Sequence, residues 1–355
     1  MGIDSMRKLR IGYYALSQDL THPGDRRRLI FWAKERGHEI CLNTSRDVDL
    51  VVLSEKTNFK DFYSNKCTKP VILDLIDAYL VKDSYWKDLG RGVGKVITRD
   101  LPLPPNSFSK FISKVCQQSK TVICSTVEQE ETIKPFCENT RIILDSHDEF
   151  PFLSFEGISP EVNRDFQLLW EGMPYTLPAI KQVSSVLNKM VSNQRIFLTV
   201  VTDLHYKRFF GKFISSNTTK ILSSQFGDNN MNYTIVPWTK SNLVTHAQVS
   251  DIGVIPIRER DPFQWLKPEN RLLIMWRLGI PCLTSATPAY SRVSIAAGTD
   301  SICKSTGEWD AKVLQLLTDK DKAKLQVQRG QEYLGKVHNK AILLAKWDEA
   351  IWSSL

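Results

Sequence analysis

The chain has 355 residues, 42% hydrophobic and 24% charged, with 47 Lys and Arg against 39 Asp and Glu for a net charge of +8. That composition is globular and excludes collagen-like, mucin-like and disordered chains, while the length suggests two domains. No apolar run approaches the ~18 residues of a membrane helix, and the opening MGIDSMRKLRIGYYAL lacks a signal-peptide core, so the expected place is the cytoplasm.

Short apolar runs alternate with helical periods, the pattern of parallel α/β construction. Residues 10–16 read as a first strand, followed by the polar loop SQDLTHPGD and a helix over 26–36 that Gly37 would cap in the left-handed region. Further strands are expected at 50–53, 71–75, 121–125 and 141–144, with helices at 107–118 and 127–136. Two prolines and a glycine in EFPFLSFEGISPEVNRD (149–165), with no helical or alternating period, mark a linker. A second series follows, with strands at 166–170, 195–202, 233–236, 251–257, 281–285 and 302–304, and helices at 179–191 and 269–278. The chain closes on a long helical stretch over 319–352, with Gly330 and Gly335 as expected breaks. Its last part is too apolar to stand alone, and periodicity leaves open which domain it covers.

A net charge of +8 could serve nucleic acid, an anionic membrane or an anionic small molecule. Nucleic-acid binders concentrate their basic residues in a stripe or arm; here the only tight run is Arg26-Arg27-Arg28, so no nucleic-acid partner is expected. The seven cysteines are scattered, form no Cys-x-x-Cys and have no histidine at zinc spacing, so they read as reduced core residues. No metal site is expected.

Ligands of open parallel sheets bind beyond the carboxyl ends of strands, which directs attention to the loops there. After the first strand come His22, Pro23, Gly24 and Asp25. His22 is a candidate general base, or simply a solvated side chain. Asp25 is either an acceptor-site carboxylate or the N-cap of the following helix. Asp145-Ser-His-Asp-Glu149 follows another strand and could do acid–base work or approach a hinge. Asp47-x-Asp49 precedes a strand and is rejected as a metal motif, and Arg91-Gly-Val-Gly94 lacks a following helix. The densest constellation is Ile255-Pro-Ile-Arg258, Lys267-Pro-Glu-Asn270-Arg271 and Gly279-Ile-Pro281. A helix opening at Lys267, Asn270 and Arg271 offers free amides, a guanidinium fork and an uncharged donor, a set suited to a diphosphate. The loop Ser285-Ala-Thr-Pro-Ala-Tyr290 feeds a second helix start.

The run from Asp251 to Trp309 resembles the C-terminal domain of GT-B glycosyltransferases, in the group-1-like pattern of a strand–proline turn, a basic helix start and Gly-x-Pro. Leu169-Trp-Glu-Gly-Met-Pro174 resembles the first strand and glycine turn of that domain. The similarity covers 166–318 well and 8–150 weakly, where the Pro23-Gly24 turn stands in place of the glycine-rich acceptor loop. The resemblance implies an α/β chain of two Rossmann-like domains facing across a cleft: 1–160 for the acceptor, 161–335 for the nucleotide sugar, and a helix at 336–355 returning to the N-terminal domain. It implies transfer of a sugar from a nucleotide-diphosphate sugar, which serves as co-substrate with no separate cofactor, to a glycan or lipid-linked acceptor in surface polysaccharide synthesis. The expected place is then cytoplasmic, with peripheral association at the inner face of the membrane. Donor binding would fall to Gly172, Asp203, Arg258, Lys267, Asn270, Arg271 and Tyr290, and the catalytic candidates are His22, Asp25 and Asp145. Arg26, Arg27 and Arg28 would line the acceptor side. The usual Glu-x7-Glu pair is absent, because Leu266 and Ile274 occupy its places, so stereochemistry stays open. An epimerase or hydrolase of the same fold and a non-catalytic binding or scaffold module are the alternatives.

Overall fold

The computed structural model describes residues 7–81, 107–155, 165–191, 194–208, 214–226, 233–259 and 261–355; the Gly-x-Gly at 91–94 lies outside them. The chain divides into two compact units. Unit 1 comprises Met1–Ser146, Leu266–Pro268 and Lys340–Leu355; unit 2 comprises His147–Trp265 and Glu269–Asn339.

Unit 1 is built on β1 (Arg10–Tyr14), β2 (Glu39–Leu42), β3 (Leu50–Ser54), β4 (Val71–Asp74), β5 (Thr121–Cys124) and β6 (Thr140–Ile142). All pairs are parallel, in the order β2-β1-β3-β4-β5-β6. Strand side chains alternate between faces. Val51, Leu53 and Leu73 therefore join Phe108, Ile112 and Val115 on one face, while Leu50, Val52 and Ile72 join Leu29 and Trp32 on the other. The second face is completed by the terminal helix Lys340–Trp352, which contributes Leu344, Trp347, Ala350 and Ile351. Polar contacts fix that helix: Trp32 Nε1 donates to Asp348 at 2.7 Å, and Lys340 pairs with Glu35 at 2.6 Å. The terminal helix thus belongs to the first unit.

Two elements of unit 1 differ from the sequence reading. Strand β2 was not expected, because its residues alternate weakly at a half-exposed edge. The helix expected over 26–36 is two helices, Pro23–Arg26 and Leu29–Arg36, the second capped by Gly37 at φ +71°.

Unit 2 carries β7 (Phe166–Glu171), β8 (Met190–Val191), β9 (Gln194–Thr202), β10 (His205–Arg208), β11 (Ile214–Asn217), β12 (Tyr233–Pro237), β13 (Ile252–Ile255), β14 (Cys282–Ser285) and β15 (Ile302–Cys303). The main sheet runs β12-β9-β7-β13-β14-β15, all parallel, with β8 antiparallel on β9 and β10–β11 forming a separate hairpin. Counting only its main strands, the order is 3-2-1-4-5-6, that of a dinucleotide-binding Rossmann sheet. The helix expected over 179–191 is instead a 3-10 helix, Pro174–Val183, followed by the short helix Ser184–Leu187. Pro178, inside this segment, removes an amide donor that a regular α-helix there would need, while Pro174 sits at the tolerated first position.

The long C-terminal stretch breaks at His338–Asn339, between helices Lys320–Val337 and Lys340–Trp352, and not at either glycine. Gly330 serves packing: a Cβ there would lie 2.3 Å from the Trp276 ring. Gly330→Ala should therefore destabilise by about 1–3 kcal/mol through overpacking, seen as a lower denaturation midpoint. An unchanged midpoint would contradict that packing.

The cysteines are free thiols, and burial pushes Cys124 and Cys303 up to about 12. Cys116, Cys124, Cys282 and Cys303 are buried core residues, whereas Cys41, Cys67 and Cys137 are half-buried.

Candidate functional site

In unit 2 the strand order reverses direction between β7 and β13, so the carboxyl end of β7 is where an open sheet takes its ligand. That end is Glu171-Gly172. A Cβ on Gly172 would stand 2.9 Å from an Arg271 guanidinium nitrogen and 3.0 Å from the Trp170 ring. Only glycine lets the guanidinium lie against the backbone there. Arg271 Nη1 donates to the Glu171 carbonyl at 3.0 Å, and the guanidinium also hydrogen-bonds the buried Tyr290 hydroxyl. Burial raises the pKa of that phenol, with Arg271 opposing. Two bonds leave part of the five-donor fork uncommitted.

Neighbouring strands lock this corner. Thr202 Oγ1, at the end of β9, donates to the Gly172 carbonyl at 2.7 Å. Trp238, just past β12, donates its indole N–H to Glu171 Oε1 at 2.8 Å, while Glu171 Oε2 is buried with no partner among the described residues. Asn270 opens helix Asn270–Arg277, and its Oδ1 is likewise buried without a partner. The N-cap residue Glu269 makes no side-chain bond to that helix, so its first amides are not satisfied by a capping group. The Arg271 guanidinium and the uncapped helix start are groups an oxyanion could meet, whereas the unpartnered Glu171 Oε2 and Asn270 Oδ1 are acceptors suited to hydroxyl or N–H donors.

The donor candidates do not all converge. Gly172, Arg271 and Tyr290 meet, and Asn270 is the helix residue next to Arg271. Asp203 is exposed beyond the end of β9, and Arg258 is exposed in the loop after β13. Lys267 precedes the helix instead of joining its first turn; it lies in Leu266–Pro268 of unit 1 and pairs with Asp77 at 3.1 Å.

In unit 1 the catalytic candidates gather near the carboxyl ends of β1, β4 and β6. Asp25 is neither a helix cap nor an open base. Its Oδ1 accepts from Tyr13 Oη at 2.6 Å and the Leu16 amide at 2.8 Å, and its Oδ2 accepts from the amide and hydroxyl of Ser17, both at 2.9 Å. The carboxylate is fully buried, and four donors fill its accepting directions. It anchors the loop after β1. Burial and the adjacent Asp25 raise the Tyr13 pKa, which keeps its hydroxyl a donor.

The helix cap is His22, whose Nδ1 accepts from the Gly24 amide at 3.1 Å. The neutral ring must then carry its proton on Nε2, making His22 a donor toward any ligand and a poor base. Burial, then Lys56, lowers its pKa below the ordinary 6.5. Protonation therefore disfavours the folded state: the stability held by neutral His22 is complete above pH ~6.5 and is lost as pH falls through the lower folded value. An NMR titration should place the His22 midpoint below 6.5, and Lys56→Ala should raise it; a midpoint at or above 6.5 would contradict this environment.

Asp145 is engaged by Arg28, the most consequential residue that sequence reasoning misassigned. Arg28 is completely buried, not a lining cation. Its Nη2 and Nε reach Asp74 at 2.6 and 2.9 Å, and Nη1 reaches the Ile143 carbonyl at 2.7 Å and Asp145 at 3.3 Å. The Trp347 ring lies 5.9 Å from the guanidinium. Burial alone would lower the Arg28 pKa, but the two carboxylates outweigh it and raise it. Arg26 likewise turns back, donating to the Thr21 carbonyl at 2.5 Å. The basic run thus builds the interior and the loop.

Among the described residues, no cluster of three or more His, Cys, Asp or Glu could hold a metal ion, and no helix is long and apolar enough to cross a membrane.

Compared by sequence, no protein-family model and no curated protein matches the chain. By structure it is similar to HepE from Anabaena, solved in complex with UDP and glucose, with a TM-score of 0.63 over 97% of this chain and 100% of that one at 12% identity. It is also similar to WaaG, a glycosyltransferase involved in lipopolysaccharide biosynthesis, at 0.58 over 96% and 98% with 12% identity. A third neighbour is sucrose-phosphate synthase from Thermosynechococcus elongatus, at 0.57 over 91% and 75% with 11% identity. These likenesses establish the fold: α/β, of the GT-B class, with two Rossmann-like sheets and a terminal helix carried by the first.

Proposed function

We propose that this protein is a glycosyltransferase that moves a sugar from a nucleotide-diphosphate sugar to a glycan or lipid-linked acceptor in surface polysaccharide synthesis. The observation that carries the reading is the Arg271 guanidinium laid against Gly172 at the switch point of unit 2. Solved neighbours of the same fold support it: one holds UDP and glucose, and another acts in lipopolysaccharide biosynthesis. In this reading the diphosphate sits at the start of helix Asn270–Arg277, held by Arg271, Asn270 and backbone amides, with Asp203 and Arg258 on flanking loops. These groups stabilise the charge that develops as the sugar–phosphate bond breaks, without a metal ion.

The acceptor binds in unit 1. Because Asp25 is buried with its accepting directions filled and Asp145 is engaged by Arg28, both hold the loops in place, while His22 donates toward the acceptor and the leaving phosphate takes the acceptor hydroxyl's proton. That step breaks the sugar–phosphate bond, forms the new glycosidic bond and passes the acceptor proton to the diphosphate. The site of action is the cytoplasm, with peripheral attachment at the inner membrane face.

A second reading, a nucleotide-binding module without transfer activity, draws on the same engagement of all three candidate bases. The test is a panel of nucleotide sugars assayed for diphosphate release with and without lipid-linked and soluble glycan acceptors. Acceptor-dependent release supports the transferase. Binding without release selects the module, and neither binding nor release overturns both.

A further inference from the structure

Between helices Thr306–Thr318 and Lys320–Val337, unit 2 has a cavity of about 80 Å³, rimmed by Lys312, Lys322, Arg329 and Asp300 over a floor that includes Leu283 and Leu316. A water molecule occupies about 30 Å³ of liquid volume, so the cavity has room for one small oxyanion or a few waters.

Three cations against one carboxylate set its sign. Lys312 is bonded to Asp300 and donates to the Ile302 carbonyl at 2.8 Å, and Arg329 Nη1 donates to the Gly298 carbonyl at 2.6 Å. These bonds hold both cations at the rim while leaving the rest of the Arg329 fork open. Half-buried Lys322 makes no ion pair among the described residues. An unpaired ammonium beside two fixed cations and an apolar floor is an arrangement that an anion completes.

The cavity is separate from the Arg271 cluster. Gly298, Thr299 and Asp300 precede β15, at the amino end of the sheet, whereas Gly172 and Arg271 lie at the carboxyl end. Helix Pro288–Ala297 joins the two places: Tyr290, in its first turn, bonds Arg271, and Gly298 caps its far end at φ +65°. The eight-residue step from Tyr290 to Gly298, at 1.5 Å each, separates them by roughly 12 Å along the helix.

We propose that this cavity is a second anion site, which binds a small soluble phosphate independently of the donor site. Inorganic phosphate is the probe, compared with sodium chloride at equal ionic strength, on the full chain. The thermal midpoint should rise with phosphate in the wild type and in Arg271→Ala, and the half-saturating phosphate concentration should increase at least tenfold in Lys322→Glu and several-fold in Lys322→Ala. An equal response in the Lys322 variants, or loss of the response in Arg271→Ala, would overturn the proposal. A third arm adds phosphatidylglycerol vesicles: Lys322-dependent vesicle binding without any response to free phosphate would also overturn it, in favour of a membrane surface.

Discussion

Replacing Arg28 with methionine should destabilise unit 1 by about 3–5 kcal/mol, the usual consequence of leaving buried charge without its partner. The side chain is completely buried and joins Asp74, Asp145 and the Ile143 carbonyl. Methionine fills much of the volume but leaves Asp74, itself buried, to desolvate its carboxylate alone. Burial already pushes the Asp74 pKa upward, with Arg28 opposing; without Arg28 it should rise further. Domain stabilities are typically about 5–15 kcal/mol, so this loss is a large fraction of the whole. The check is urea unfolding of unit 1, followed by the fluorescence of its Trp32 and Trp347. The midpoint should fall steeply in Arg28→Met and much less in Asp145→Asn, because Arg28 keeps its closer contacts to Asp74. A loss below about 1 kcal/mol would mean that the triad behaves as a surface ion pair.

Arg271→Ala should weaken nucleoside diphosphate binding by roughly 10²-fold, about 3 kcal/mol, the contribution of one or two charge-assisted hydrogen bonds. Lysine should not restore it, since an ammonium cannot serve the Glu171 carbonyl, the Tyr290 hydroxyl and a phosphate with fixed forked geometry. The helix carrying Arg271 is otherwise packed by Leu272, Leu273, Ile274, Met275 and Trp276, all buried, so the fold should survive. Calorimetric titration of UDP, GDP, ADP and CDP into wild type and variant reads the effect directly. Wild-type affinity in Arg271→Ala would place the diphosphate elsewhere.

The parallel strands were readable because runs such as Leu50–Ser54 are apolar on both faces and bounded by polar turns. Strand β2 escaped notice because an edge strand needs fewer apolar residues. The split of the first helix was hidden for a different reason. Arg28 leaves helical geometry at φ −119°, ψ −111° and carries its side chain to Asp74 and Asp145. Partners 46 and 117 residues away leave no local trace. The basic helix start at Arg271 was legible as strand-end chemistry, whereas Gly172 was singled out only through the resemblance to a GT-B C-terminal domain. Lys267 was not separable from that helix start, because a loop residue just before a helix looks like its first turn until Asp77 is seen beside it. Gly330 was read as a break because a glycine placed for helix contact and one placed for a turn look alike in one sequence.

The most direct test of the central claim is amide hydrogen exchange with and without the nucleoside diphosphate that binds best. Protection is expected at Glu171, Gly172 and Met173 after β7, at Asn270 and Arg271, and at Tyr290, with the effect lost in Arg271→Ala. Protection confined to other segments, or no change with any nucleotide, would contradict a donor site at the switch point of unit 2.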